Sequence, residues 1–266
     1  MHRFIRTELL LGPDAMARLR RARVVVAGLG AVGSYAVEGL ARAGVGALRL
    51  VDFDTVHASN INRQLYALES TLGRLKVDVA ASRVRDINPD CAVEALPLFV
   101  GADTVERVLD GAPDVVIDAI DSLSPKVQLL AAAARARLFT ISSMGAATRT
   151  DPLALRVGDL AETEHCPLAR LIRKRLRKFG VTGGIRCVYS IEPARRHAET
   201  ACTGAAEEAE AMPRGRTRRP LGSLSVLTGM FGLVAAREAI CRIALSHCAN
   251  ETVCDTLRPY ERKPFF

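Results

Sequence analysis

The chain has no tryptophan, four tyrosines and eight phenylalanines among 266 residues. With so few aromatic rings, aliphatic side chains and alanine must fill the interior, and they supply most of the 49% hydrophobic composition. No two cysteines are spaced CxxC. The seven stand scattered at 91, 166, 187, 202, 241, 248 and 254, an odd number that argues against a disulfide framework and a zinc knuckle and leaves each as a free thiol. No apolar run is long enough to span a bilayer. The longest, Leu221 to Ala236, runs straight into Arg237 and Glu238 and reads as a buried helix, so no membrane insertion is expected. Neither end carries a signal-peptide pattern, which points to the cytoplasm, and no internal repeat is evident.

What is present begins with RVVVAGLGAVG, Arg23 to Gly33. A β-branched run reads as a buried parallel strand, and Gly28, Gly30 and Gly33 form a tight turn whose backbone can approach a phosphate before a helix opens. Taken alone, GxGxxG is a weak signal. Here a strand precedes it, a helix (SYAVEGLARAG) follows, and a second strand, ALRLVDFD, ends in acid, so the context is a βαβ unit. Asp52 lies 24 residues beyond Gly28, where a ribose-binding carboxylate is expected. Ala31 and Asp54 belong to the same expected nucleotide pocket.

Further strand and helix patterns place more charge at the carboxyl edge of that sheet, where open α/β folds bind ligands. After VDFD, a polar loop holds Asn60, Asn62, Arg63 and Gln64. A helix over Thr71 to Ile87 carries Lys76 near its start, unfavourable with the helix dipole unless an anion is near. PDVVIDAID delivers Asp118 and Asp121, and Ser122 to Ser124 are expected to cap a helix whose first position is Pro125. Asp121 is the candidate ligand for magnesium beside a triphosphate. The predicted fold is α/β: a Rossmann-like, doubly wound, mostly parallel sheet extended by antiparallel strands toward the C-terminus. Its expected divisions are an N-terminal helical segment over 1–22, a nucleotide-binding core over 23–150, and a C-terminal extension of the same domain over 151–266, with a mobile loop at 195–220.

Charge is uneven. Residues 1–150 hold 18 Lys and Arg against 16 Asp and Glu, while the remainder holds 19 against 13, so most of the net +8 lies in the C-terminal part. A helix beginning at Pro167 crowds Arg170, Arg173, Lys174, Arg175, Arg177 and Lys178 into one element, and a second basic run spans Arg214 to Arg219. Such clustering suits a polyanionic partner.

GLGAVG, VDFDTV, SNINRQ, the lysine of GRLKVD and the segment DAIDS occur in the order and spacing of the ubiquitin-activating-type adenylyltransferase superfamily, which the chain resembles over residues 3–150. Within it, DAIDSLSPK, CPLARLIRKRL, CVYSIE and GSLSVLTGMFGLVAAREAI are similar to the tRNA threonylcarbamoyladenosine dehydratase family. The resemblance implies an enzyme that adenylates a carboxylate with ATP and Mg2+, works as a homodimer and carries a monovalent cation. By the same resemblance Asp52 holds the ribose, and Gly28 to Gly33 supply amides. Arg63 and Lys76 neutralise phosphates, Asn60 and Gln64 orient them, and Asp121 holds magnesium. Arg6 of one protomer reaches the partner's phosphates, with Arg3 as a second candidate. The substrate implied is tRNA, contacted through Arg170, Arg173, Lys174, Arg177 and Lys178 and through the 214–219 run. The alternative is activation of the C-terminal carboxylate of a ubiquitin-like sulfur-carrier protein, and a sulfur-transfer partner would use Cys187 or Cys202 as an exposed thiol. A nicotinamide oxidoreductase, the usual inference from GxGxxG, has no use for Asn60 to Gln64 or Lys76.

Overall fold

The structure, a computed structural model, describes residues 2–194 and 221–245. The expected mobile loop, the basic run at 214–219 and Cys202, Cys248 and Cys254 lie outside the described residues.

Seven strands form one sheet in the order β3-β2-β1-β4-β5-β7-β6. They are β1 (Arg23–Ala27), β2 (Ala47–Val51), β3 (Ala92–Leu96), β4 (Val115–Asp118), β5 (Thr140–Ser143), β6 (Leu155–Asp159) and β7 (Arg186–Ser190). All neighbours are parallel except β6, which pairs antiparallel with β7 at the edge, Val157 opposite Val188. The uninterrupted valines of β1 follow from burial on both faces. Val24 and Val26 join the larger core, while Val25 and Ala27 join the cluster on the opposite side. Chain order reverses between β1 and β4, so the crevice at their carboxyl ends is the topological switch point.

Two short helices, α1 (Ile5–Leu11) and α2 (Pro13–Arg21), precede β1. Arg3 lies before α1 and donates to the Ile87 carbonyl at 2.7 Å. It therefore does not share a helix face with Arg6, which is exposed on α1. The helices α3 (Gly33–Ala43) and α4 (Lys76–Ile87) pack on one face of the sheet with the long α8 (Ser225–Leu245). α3 and α8 approach closely because their interface is small: a Cβ on Gly232 would lie 2.2 Å from the Val32 carbonyl oxygen. The other face carries α5 (Val105–Leu109), α6 (Leu123–Arg135) and α7 (Pro167–Leu176).

Two helix starts differ from the sequence expectation. α4 begins at Lys76 rather than Thr71, because Glu69–Thr71 forms a separate 3-10 turn in which Thr71 Oγ1 accepts from the Leu68 amide. α6 begins at Leu123 after Ser122, whose side chain makes no capping bond, and Pro125 takes its third position. Proline is tolerated there because the first helical amides have no partner within the helix. Among the described residues no helix is long and apolar enough to cross a membrane.

Candidate active site

The glycine turn leaves β1 at Gly28, whose amide donates to the Val51 carbonyl at 2.8 Å and whose φ is +88°. A Cβ on Gly28 would lie 2.7 Å from the Ala119 carbonyl oxygen, so the turn packs directly on the chain leaving β4. Around Gly30 the space is open toward Gln64, whose Nε2 would lie 3.7 Å from an added Cβ. Ala31 is half-buried in the same turn, and Gly33 and Ser34 open α3 beneath it.

Asp52 clamps this turn. Its Oδ2 accepts the Leu29 amide at 2.7 Å and its Oδ1 accepts the Asp54 amide at 3.0 Å. Burial pushes the Asp52 carboxyl up from its ordinary value, and the Lys76 ammonium with these two amides pulls against that rise. Lys76, in the first turn of α4, is buried and ion-paired to the Asp54 carboxylate. Its awkward position against the helix dipole thus has a counter-charge within the chain, and no phosphate is required to explain it.

The loop after β2 brings the other polar candidates to the same edge. Asn60 is buried, and its Oδ1 accepts the His57 amide at 3.3 Å while its carbonyl accepts the Gln64 amide at 2.9 Å. It holds the loop's shape. Gln64 is buried beside Gly30, and the Ser34 hydroxyl ties the following residue by accepting the Leu65 amide at 3.2 Å. Arg63 is half-buried, its Nη1 donating to the Ser59 carbonyl at 2.7 Å and to Asn62 Oδ1 at 2.8 Å. Contacts thus link Gly28, Gly30, Asp52, Asp54, Asn60, Gln64 and Lys76 around the carboxyl ends of β1 and β2, the rim of the site, while the guanidinium of Arg63 bonds within its own loop.

At β4 the two aspartates divide. Asp121 is exposed beyond the strand, whereas Asp118 is fully buried and paired with the fully buried Lys126, Nζ to Oδ2 2.8 Å. Ser142 on β5 donates to the same Oδ2 at 2.6 Å, the Ile120 amide donates to Oδ1 at 3.1 Å, and Lys126 donates to the Ile120 carbonyl at 3.0 Å. Burial pushes the Asp118 carboxyl up against the pull of the Lys126 ammonium. The pair fixes both backbone polar groups of Ile120, the residue before Asp121. Sequence reasoning passed over Lys126; its signal was a single cation within the apolar stretch Pro125 to Ala134. Arg149 was passed over as well. Buried, it donates to the carbonyls of Gly145, His165 and Glu192, joining the loops after β5 and β7 to the approach to α7.

On α7 and the 3-10 turn that follows, Arg170, Lys174, Arg177 and Lys178 are exposed. Arg173 differs from them: half-buried, its Nη1 donates to the Leu160 and Thr163 carbonyls at 3.1 and 2.8 Å, so it stitches the helix to the preceding loop. Cys187 is not the exposed thiol expected. It is fully buried in β7, and burial pushes its thiol far above the ordinary range, which suppresses the thiolate needed for sulfur transfer.

Comparison with known proteins follows the same outline. The model of the ThiF family matches residues 2–264. The chain is 38% identical over 247 residues to tRNA threonylcarbamoyladenosine dehydratase of Escherichia coli, covering 90% of the chain and 92% of that protein. It is 43% identical over 192 residues to the protein of the same name from Bacillus subtilis, covering 72% and 76%. The crystal structure of the E. coli dehydratase in complex with ATP superposes with a TM-score of 0.79 at 36% identity, covering 91% of this chain and 93% of that one.

Proposed function

The chain belongs to the ThiF family, and from that premise we propose that it uses ATP to dehydrate threonylcarbamoyladenosine in tRNA, closing the modification into a ring. One observation carries the reading. The glycine turn, the Asp52 clamp and the Lys76 pair line the switch-point edge of a chain similar, over nine-tenths of its length, to a dehydratase solved with ATP.

In the proposed reaction the substrate carboxylate attacks the α-phosphorus of ATP and pyrophosphate leaves, giving an acyl adenylate. The carbamoyl group of the same modification then attacks the activated carbonyl carbon. Its proton passes to solvent, and AMP leaves with the former carboxylate oxygen, so the substrate loses the elements of water. The barrier is charge gathering on phosphate, which amides fixed in the glycine turn and cations fixed on the rim can stabilise without reorganising. Of the turn's amides, those of Gly28 and Leu29 are spent on Val51 and Asp52, so Gly30 to Gly33 present the amides, with Ala31 in their path. Asp52 retains lone pairs for ribose hydroxyls. Lys76, held by Asp54, and Arg63 supply the positive charge, and Gln64 orients the phosphates above Gly30.

Magnesium fits this arrangement as an ion arriving with the phosphates. Among the described residues no three His, Cys, Asp or Glu are grouped to hold a metal, while exposed Asp121 offers one carboxylate at the rim. Bound there, the ion would neutralise charge on the departing pyrophosphate. A monovalent cation stays part of the proposal through family resemblance and would take backbone carbonyls.

The proposal extends to a homodimer in the cytoplasm. Leu9 and Leu10 on α1, Leu224 just before α8, and Val226 and Leu233 in its first half are exposed apolar side chains that a second copy would cover. Arg6, exposed beside Leu9 and Leu10, would then serve the partner's phosphates. Arg170, Lys174, Arg177 and Lys178 would contact tRNA phosphates, with affinity falling steeply as salt rises.

The test is AMP release from ATP by the purified protein with tRNA carrying threonylcarbamoyladenosine, against the same tRNA lacking it. Stimulation by the modified tRNA alone is expected. AMP formation that appears only when a sulfur-carrier protein is added would transfer the site to that substrate.

A further inference from the structure

Phe179 is the only aromatic among the large hydrophobic side chains that stand exposed in the described residues, 53% open at the end of the basic element. A lone exposed phenylalanine needs no explanation, but the position of this one invites one. Leu171 and Arg175, four apart on α7, share a face, and Phe179 closes the 3-10 turn Arg177–Phe179 that continues the helix. Arg175 Nη1 donates to Ser124 Oγ at 3.1 Å, and Ser124 lies in the first turn of α6, three residues past Asp121. The basic element is therefore tied at Arg175 to the start of α6 and ends four residues later at Phe179. There Gly180, in the left-handed region at φ +76°, turns the chain away. Lys174, Arg177 and Lys178 flank the ring with exposed positive charge.

We propose that Phe179 is a stacking platform for an unpaired tRNA base next to the modified adenosine, an inference that rests on the dehydratase reading above. The modification sits on N6, the pairing edge of adenine, so a carboxylate carried there reaches the rim only when its nucleotide is out of a helix. Its neighbours are then unstacked. Exposed bases of single-stranded RNA are held by aromatic faces and arginine planes, with lysines following the phosphates between them. Phe179 supplies the face, Arg175 a guanidinium on the same element, and Lys174 and Lys178 the backbone contacts. The occupant is single-stranded RNA because the ring is set among cations beside a site whose substrate is RNA.

The experiment measures AMP release against modified-tRNA concentration at saturating ATP for the wild type, Phe179→Ala, Phe179→Trp and Lys178→Ala, each across a salt series. Loss of the ring is expected to raise the KM for tRNA roughly tenfold, with kcat, the KM for ATP and the salt dependence unchanged. Tryptophan restores the wild-type KM. Lys178→Ala instead lowers the slope of log affinity against log salt by about one. A Phe179→Ala enzyme with an unaltered KM for tRNA, or one whose KM for ATP or oligomeric state shifts as well, overturns the platform. A wild type that ignores modified tRNA overturns the dehydratase reading and the platform together.

Discussion

Replacing Lys126 by methionine keeps the length of the side chain and removes its charge from a pair in which both groups are fully buried. Asp118 then keeps Ser142 and the Ile120 amide but loses the ammonium at 2.8 Å, and the Ile120 carbonyl loses its donor at 3.0 Å. Breaking one side of a buried pair strands a charge and destabilises by about 3–5 kcal/mol. For a chain of this size each kcal/mol shifts Tm by about 2–4 °C, so the fall should be roughly 6–20 °C. The double variant Asp118→Asn with Lys126→Met strands no charge, and neutral groups of similar volume often match a buried pair, so it should recover most of the loss. The pH dependence has a definite sign. Burial already raises the Asp118 carboxyl, and removing Lys126 takes away the strongest opposing pull. A carboxyl raised in the folded state favours folding below its unfolded value and loses that advantage as pH rises through its folded value. The deficit of the single variant should therefore be small in acid and grow toward pH 8. Urea denaturation followed by circular dichroism at pH 5 and pH 8 measures it. A single variant within about 1 kcal/mol of wild type at pH 8, or a double variant no better than the single, would refute the reasoning.

Arg63→Ala should lower turnover by about 10²–10³, the effect of losing one preorganised donor, and an enzyme retaining full AMP release would remove Arg63 from the site. Gly28→Ala should weaken ATP binding in calorimetry and lower stability by about 1–3 kcal/mol, because φ is +88° and the added Cβ would stand 2.7 Å from the Ala119 carbonyl. Glu38 joins α3 to α4 through Arg83 at 2.6 and 2.9 Å and pairs within α3 with Arg42 at 2.7 Å. Burial raises its carboxyl, but these guanidiniums bring it below its ordinary value. Glu38→Gln should cost about 1 kcal/mol near neutrality, since Arg42 and Arg83 are largely open to solvent. That contribution is present above the unfolded carboxylate value and is lost as pH falls through the lowered one, so thermal melts of the variant and wild type should converge in strong acid.

The sheet was legible because burial on both faces writes itself as unbroken apolar runs, as in Val24 to Ala27, and because the glycine turn follows β1 immediately. The antiparallel extension expected toward the C-terminus is the edge strand β6, paired with β7. Helix starts were less so. Thr71 and Pro125 carry helix-start signals that the chain uses one turn earlier or later, since a threonine that can cap a helix can also close a 3-10 turn. Partners of charged side chains were illegible where they lie far apart in sequence. Arg173, counted among the tRNA contacts by composition, spends its Nη1 on the Leu160 and Thr163 carbonyls, and no periodicity within α7 could separate it from Arg170. Cys187 illustrates the same limit: its burial depends on β6, α6 and α7 closing over β7.

The two buried lysines share one construction and differ in one property that decides their use. Each stands in the first turn of a helix, where the dipole disfavours a cation, and each is balanced by an aspartate from the carboxyl end of the preceding strand: Asp54 after β2 for Lys76, and Asp118 of β4 for Lys126. These strands flank β1, so the two pairs bracket the glycine turn. Lys126 and Asp118 are both sealed from solvent and their hydrogen bonds end on Ser142 and Ile120, within the fold. The Asp54 side chain is 23% exposed, so this pair, unlike the other, reaches the surface. On the proposed reading an arriving triphosphate competes with Asp54 for Lys76, whereas no anion can reach Lys126. The same strand-to-helix arrangement thus gives one pair that sets the backbone beneath Asp121 and another whose cation the proposed reading assigns to the substrate.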